Sequence, residues 1–376
     1  MERRRRVAVL FGGRSSEHEI SCLSARSVID ALDPATTEVI PIGIARDGRW
    51  HVLAGPPSLP AETGRLPEVV AGAGVVAKLA DDTAGHPELE LADGSRAAFD
   101  VVFPVLHGPQ GEDGAIQGLL ELAGVPYVGA GVLGSALGMD KAMQKALWAA
   151  AGLSVVPHTA VAEHEWREDP EAVSARATAL GFPVFTKPAS LGSSVGISKV
   201  ADAQGLDAGM EEAFRYERKA LIERAIQPVR EIECAVLGND EPVASVCGEV
   251  EPRGHDFYDY DAKYLDEQGA NLLIPAPLTP ELTARIQRIA IAAFSTVACA
   301  GMARVDLFVR DDEVWINEIN TIPGFTSISM YPKLWAASGL PYADLVQRLL
   351  DLAVERFEAE RAKHVDVRQL HGRADA

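Results

Sequence analysis

The sequence predicts a chain of mixed class, an α/β domain of doubly wound type followed by α+β structure. Three observations carry this. Short apolar runs at 7–11, 39–44 and 99–106 alternate with helical stretches at 15–32 and 116–123, the order that builds a parallel sheet with helices on its faces. Later segments read instead as antiparallel neighbours: 231–237 with 243–248, and two strands joined by a polar turn within 303–320. The chain has 376 residues, 47% of them hydrophobic, enough for two or three packed domains.

In order, Val7 to Phe11 is a buried strand, Gly12-Gly13 a tight turn, and Ser15-Ser16-Glu17-His18-Glu19 the start of a helix running to about Leu32. The spacing is not GxGxxG, so no dinucleotide site is read there. Residues 53–94, rich in Pro, Gly and Ala, are expected to be irregular with an edge hairpin. The loop His107 to Gly114 follows a strand at its C-terminal end, where ligands of open α/β sheets bind. Gly129 to Ser135 reads as a small-residue join and the first domain boundary. An amphipathic helix over 139–151 carries Lys141 and Lys145. Strands are expected at 157–162, 182–188, 195–200 and 220–226, and helices at 170–180, 202–216, 279–300, 329–337 and 342–360. Residues 257–264 read as a long aromatic loop and 364–376 as a polar tail.

A net charge of −19 argues against nucleic acid and anionic membrane as main partners. An anionic substrate would need local lysines, arginines or metal. Cys22, Cys234, Cys247 and Cys299 lack paired metal spacing and read as reduced core residues of a cytoplasmic protein. The basic start Met1 to Arg6 precedes an apolar run too short for a signal peptide, and no run reaches a membrane span.

The densest chemistry lies in Ala303 to Met330. Val305, Leu307 and Val309 alternate with Arg304, Asp306 and Phe308; Arg310-Asp311-Asp312-Glu313 is the turn, and Val314 to Asn320 the return strand. Period two puts Arg304 and Asp306 on one face, and Glu318 and Asn320 on one face. The two pairs share a side only if the turn has an odd number of residues; a two-residue turn separates them. Two carboxylates, an amide and a guanidinium are costly to bury without a function. Mg²⁺ fits, since it takes oxygen ligands from one or two carboxylates plus substrate phosphates. The alternative is the solvated face of an edge hairpin. A second candidate is Ala189 to Ile197, a Gly/Ser turn after Lys187 whose exposed N–H groups, with Ser193 and Ser194, can cradle an anion. Its alternative is an ordinary flexible hairpin.

HGPQGEDG, MDKAMQK, FTKPASLGSSVG, LIERAIQPVREIECAV, YDYDAKY, GMARVDLF and INEINTIPGFTSISMYP occur in this order. Together, over about Val7 to Val346, they resemble the D-alanine–D-alanine ligases of the ATP-grasp superfamily. The resemblance implies an N-terminal α/β substrate-binding domain (1–129) followed by a two-part ATP-grasp fold: a central subdomain with the glycine-rich phosphate hairpin (130–226), a C-terminal subdomain with the Mg²⁺ site and lid loop (227–362), and a tail (363–376). It implies ligation of two D-alanines through D-alanyl phosphate, for peptidoglycan precursor synthesis, with ATP and two Mg²⁺ ions for which Mn²⁺ can substitute.

Residue by residue, the resemblance assigns Asp306, Glu318 and Asn320 to the metals, with Glu318 able to bridge both. Lys141 and Lys187 fall to the phosphates, with Ser193 and Ser194 in their cover. Glu223 falls to the adenine amino group, the backbone at Ala225 and Ile226 to the hinge, and Glu231 to the ribose. Glu17 receives the first D-alanine ammonium, with His107 beside it. Arg304 and the Gly324 N–H stabilise the tetrahedral oxyanion. Ser329 and the helix from Met330 hold the second carboxylate, and Lys263 and Tyr264 lie on the lid. Tyrosine at 264, rather than the Phe of D-lactate-using members, favours the peptide product. A homodimer is the family's usual state. The rivals are a D-alanine–D-lactate ligase, another ATP-grasp carboxylate–amine ligase, a non-catalytic nucleotide sensor, and a dehydrogenase suggested by the Gly12-Gly13 turn.

Overall fold

The computed structural model describes residues 3–57, 66–70, 72–79, 87–192, 194–252 and 270–363. It begins with β1 (Arg5–Gly12), α1 (His18–Ala31) and β2 (Thr37–Ile44). Strands β3 (Trp50–Val52), β4 (Val75–Leu79), β5 (Glu88–Leu91), β6 (Arg96–Ala98) and β7 (Val101–Pro104) complete a sheet of order β6-β5-β4-β3-β2-β1-β7. Only β2, β1 and β7 run parallel. Helix α2 (Ala115–Leu122) follows β7. Alternation along β1 sorts the helices: Val7, Val9 and Phe11 pack with Cys22, Ala25 and Val28 of α1, whereas Ala8 and Leu10 pack with Ile116 and Leu120 of α2. That is doubly wound packing. Of residues 53–94, expected to be irregular with an edge hairpin, β4 and β5 pair as an antiparallel hairpin that carries the sheet on from β3 to β6 at its edge.

The join expected at 129–135 contains the start of a helix, α3 (Val132–Met139). Its glycines serve close packing. A Cβ on Gly134 would come within 2.5 Å of the Ala298 carbonyl oxygen, and one on Gly138 within 2.5 Å of Thr321 Cγ2. Helix α4 (Lys141–Ala150) begins at Asp140, whose carboxylate accepts from the N–H groups of Ala142 and Met143 at 3.0 and 3.1 Å. Such a cap is worth about 1 kcal/mol.

Next come β8 (His158–Ala162), α5 (Glu163–Glu168), α6 (Pro170–Leu180), β9 (Val184–Pro188), β10 (Ser198–Val200), α7 (Leu206–Phe214) and β11 (Lys219–Arg224), giving an antiparallel sheet of order β10-β9-β11-β8. The last sheet, β14-β13-β12-β15-β16, is built from β12 (Arg230–Gly238), β13 (Val243–Pro252), β14 (Ala270–Leu273), β15 (Gly301–Arg310) and β16 (Glu313–Asn320). Helix α8 (Pro280–Thr296) packs on it, capped by Thr279, whose hydroxyl accepts from the Leu282 N–H at 3.2 Å. Helices α9 (Met330–Ala337) and α10 (Tyr342–Ala362) close the chain. Leu345, Val346 and Leu349 of α10 share one core with β1 and α1, so the C-terminal helix covers the first sheet. All four cysteines are free and buried.

The β15–β16 hairpin departs from the sequence expectation in an instructive way. Its turn holds two residues, Asp311 and Asp312, because Arg310 pairs with Glu313. A regular ladder from that turn would place Glu318 opposite Val305, on the wrong face. The register holds as far as Leu307 opposite Ile316 and then slips by one residue. Beyond the slip, Asp306 lies opposite Glu318 and Arg304 opposite Asn320. Asn317 is the extra residue, a β-bulge that restores what the turn would have undone.

Candidate active site

Across three strands one row of carboxylates runs Glu233, Asp306, Glu318, and the next row runs Ala235, Arg304, Asn320. Glu231 lies on the same face of β12, two residues from Glu233. Arg304 grips Asp306 with two parallel bonds, Nε and a terminal nitrogen each 2.7 Å from a carboxylate oxygen, and lies 3.1 Å from Glu233. Burial opposes a charge there, but the carboxylates of Asp306 and Glu233 outweigh it and hold the guanidinium pKa above its ordinary value.

The glycine-rich loop meets this face through α4. Lys141 donates to the Leu191 carbonyl at 2.8 Å and pairs with Glu318 at 3.2 Å. The loop is pinned at its start, where the Ser190 N–H and hydroxyl donate to Glu217 at 2.6 and 3.0 Å. Ser194 takes a positive φ within it. Lys187 pairs closely with Glu223, a carboxylate only 2% exposed. Burial alone would raise the Glu223 pKa; the ammonium groups of Lys145 and Lys187 outweigh that and lower it. The Ala225 N–H is spent on the Pro183 carbonyl at 3.0 Å, so this hinge residue can offer a nucleotide its carbonyl but not its N–H. Ile226 is buried beside it.

At the other end of the cleft, Glu17 stands just before α1 and is buried. A Cβ on Gly108 would lie 3.0 Å from its carboxylate, and one on Gly192 of the loop 3.8 Å. Gly108 takes φ +75°, which with this crowding calls for glycine. His107 is turned inward: Nδ1 lies 3.1 Å from the Ile322 carbonyl, which can only accept, and Nε2 lies 3.3 Å from the Ser24 hydroxyl. Burial lowers its pKa, against the pull of Glu17. Neutral and bonded at both nitrogens, it anchors the loop after β16 to the first domain. Ser24 also accepts from the Phe325 N–H at 3.4 Å. Gly324 sits where a Cβ would be 3.1 Å from Ser329 Oγ. Ser329 bonds the Thr326 N–H and hydroxyl at 3.2 and 2.7 Å and makes no side-chain cap on α9. The Met330 side chain is buried in the core, so the backbone at the helix start is what it can present to a ligand.

The sequence reading gave no role to four groups. Lys145 is fully buried; its Nζ is 2.7 Å from the Asn317 carbonyl and 3.2 Å from Glu223. Burial brings its pKa down to about 8 despite Glu223. Its place four residues after Lys141, on the same helical face, was the available signal. Gln144 accepts from the Ile319 N–H at 3.3 Å. Glu233 repeats the Glu231 side of its strand. Glu112, in the loop after β7, accepts from the Gly108 N–H at 2.6 Å; burial, reinforced by the charge of Glu17, pushes its pKa up to about 8. Ser193, Lys263 and Tyr264 lie outside the described residues.

Two family models match: the D-ala D-ala ligase N-terminus over residues 6–130 and the D-ala D-ala ligase C-terminus over 147–351. The chain belongs to the D-alanine–D-alanine ligase family. It is 50% identical over 362 residues to the D-alanine–D-alanine ligase of Pseudarthrobacter chlorophenolicus, covering 93% of this chain and 94% of the relative. Among solved structures, the ligase from Coxiella burnetii superposes with a TM-score of 0.84 at 38% identity, covering both chains fully. The VanG D-Ala:D-Ser ligase of Enterococcus faecalis gives 0.79 at 34%, covering 93% of this chain and all of that one. The fold is therefore ATP-grasp, and the protein is an ATP-using ligase of small-molecule substrates. Among the described residues no helix is long and apolar enough to cross a membrane.

Proposed function

We propose that this protein joins two D-alanines into D-alanyl-D-alanine, a peptidoglycan precursor, with ATP split to ADP and phosphate. The observation that carries the reading is the meeting of Glu17, the glycine-rich loop and the Lys141–Glu318 pair in one cleft. An ammonium fits the acidic end and phosphates the lysine end.

The oxygen donors fit a divalent cation. Asn320 Oδ1 is buried with no hydrogen-bond partner, on the face that Asp306 and Glu318 share. Among the described residues no three His, Cys, Asp or Glu side chains converge as a metal site. Two carboxylates and an amide therefore leave positions for phosphate oxygens, as Mg²⁺ prefers. Asp306, Glu318 and Asn320 would hold two Mg²⁺ ions, or Mn²⁺, whose charge lets a carboxylate approach a triphosphate.

Lys141 and Lys187 hold the phosphates as point charges. Glu231 takes the ribose hydroxyls, Glu223 and the backbone at 225–226 the adenine, and Ser194 the phosphate cover. Glu17 fixes the first D-alanine ammonium, so that its carboxylate oxygen attacks the γ-phosphorus and ADP leaves. The second amine attacks the acyl carbon of the D-alanyl phosphate; the C–O bond to phosphate breaks and the amine loses a proton. Arg304 and the Gly324 N–H stabilise the oxyanion between these events. Ser329 and the start of α9 hold the second carboxylate. Roles for Ser193 in the phosphate cover and for Lys263 and Tyr264 over the site rest on the family resemblance, as do three domains bounded near 129 and 226, a homodimer through the first domain, and a cytoplasmic location.

The likeness to a D-Ala:D-Ser ligase makes the second substrate the point to test. With ATP, D-alanine, D-serine and D-lactate supplied together, D-alanyl-D-alanine should dominate. Predominant D-alanyl-D-serine or D-alanyl-D-lactate would replace this reading by the corresponding variant. ADP release indifferent to D-alanine would reject it.

A further inference from the structure

The alignment of Asp306 with Glu318 depends on a single bulged residue, and a bulge leaves backbone groups outside the ladder that must find partners. Here those partners come from the segment that runs along the free edge of β16. The Ile316 N–H donates to the Ser154 carbonyl at 2.9 Å, the Asn317 carbonyl accepts from Lys145 at 2.7 Å, and the Ile319 N–H donates to Gln144 at 3.3 Å. Of the three, the lysine bond is charge-assisted and comes from a fully buried side chain, and the same ammonium pairs with Glu223 at 3.2 Å. Burying an ammonium is unfavourable unless every donor is used. Lys145 spends two of its three donors in joining the bulge to the nucleotide-side carboxylate.

We propose that Lys145 is a positioning residue for the metal-holding edge. By clamping the Asn317 carbonyl it maintains the one-residue register shift that keeps Glu318 and Asn320 on the face of Asp306, and it couples that register to Glu223. The proposal rests on the metal reading above and goes beyond it, because Lys145 acts through the Asn317 backbone and Glu223 rather than as a metal ligand.

The test compares Lys145→Met, which keeps an unbranched buried chain without its donors, with Glu318→Gln and Trp148→Phe. Trp148 is equally buried on α4 but donates to the Ala293 carbonyl, away from the bulge. Binding of Mn²⁺ in the presence of ADP is followed by electron paramagnetic resonance, and amide exchange over 316–320 is followed in metal-free protein. Lys145→Met should weaken Mn²⁺ binding at least tenfold and speed exchange at Ile319, while Trp148→Phe lowers the melting temperature and leaves Mn²⁺ binding as in the parent. Should Lys145→Met not fold, Gln144→Leu, which removes the acceptor of the Ile319 N–H, should speed exchange at Ile319 and weaken Mn²⁺ binding by a smaller factor. Mn²⁺ binding unchanged in whichever of these two variants folds, with Glu318→Gln impaired, overturns the role of Lys145. Unchanged binding in Glu318→Gln overturns the metal reading itself.

Discussion

The two ends of the cleft are built on opposite electrostatic plans. At the lysine end, Lys141, Lys145 and Lys187 face Glu223 and Glu318, three cations against two anions in largely buried pairs. At the other end, Glu17 and Glu112 share a pocket whose histidine is held neutral by burial. The first cluster has a cation to spare and wants an anion. The second is dominated by carboxylates, and burial with the charge of Glu17 raises the Glu112 pKa to about 8. The difference shows why a two-ended substrate set, phosphate at one end and ammonium at the other, can be oriented by charge before any shape is considered.

The comparison breaks most severely if Glu318 is neutralised. Glu318→Gln removes the carboxylate shared by Lys141 and the proposed metal site, and turnover should fall more than about 10³-fold with cooperative unfolding preserved. Near-normal turnover would remove the lysine end from the mechanism. Arg304→Ala should lower kcat by about 10²–10³-fold, the usual cost of one oxyanion donor. Its effect on ATP affinity should be much smaller; equal losses would make Arg304 a binding residue.

A smaller effect sharpens the other end. The Glu112 pKa is raised in the fold, so the native state keeps a proton that the unfolded chain gives up. Stability from this group is therefore lost as pH rises from the ordinary carboxylate range to about 8. Glu112→Gln, which cannot ionise, should gain melting temperature relative to the parent as pH is raised from 5 to 8. A difference independent of pH would show that Glu112 is ionised throughout.

Much of the proposed site was legible in the sequence because the groups assigned to ligands sit in short, ordered motifs: Lys187 before its glycines, Glu223 at the end of a strand, and Arg304, Asp306, Glu318 and Asn320 at period two. What could not be read was how the pieces are braced. Counting in twos from a turn assumes an unbroken ladder, so the Asn317 bulge is invisible, and the alignment held while the odd-numbered turn required for it was absent. Gly134 looked like part of a linker because a helix packed closely against Ala298 needs the same small residues. Lys145 and Glu112 sit inside MDKAMQK and HGPQGEDG, but what they do there follows from burial, which composition does not disclose.

The most direct test is anomalous diffraction from crystals grown with Mn²⁺ and a non-hydrolysable ATP analogue. Mn²⁺ peaks should lie about 2.1 Å from oxygens of Asp306, Glu318 and Asn320, with Asn317 still bulged toward Lys145. Mn²⁺ bound elsewhere, or those three side chains directed to opposite faces of their sheet, would contradict the account.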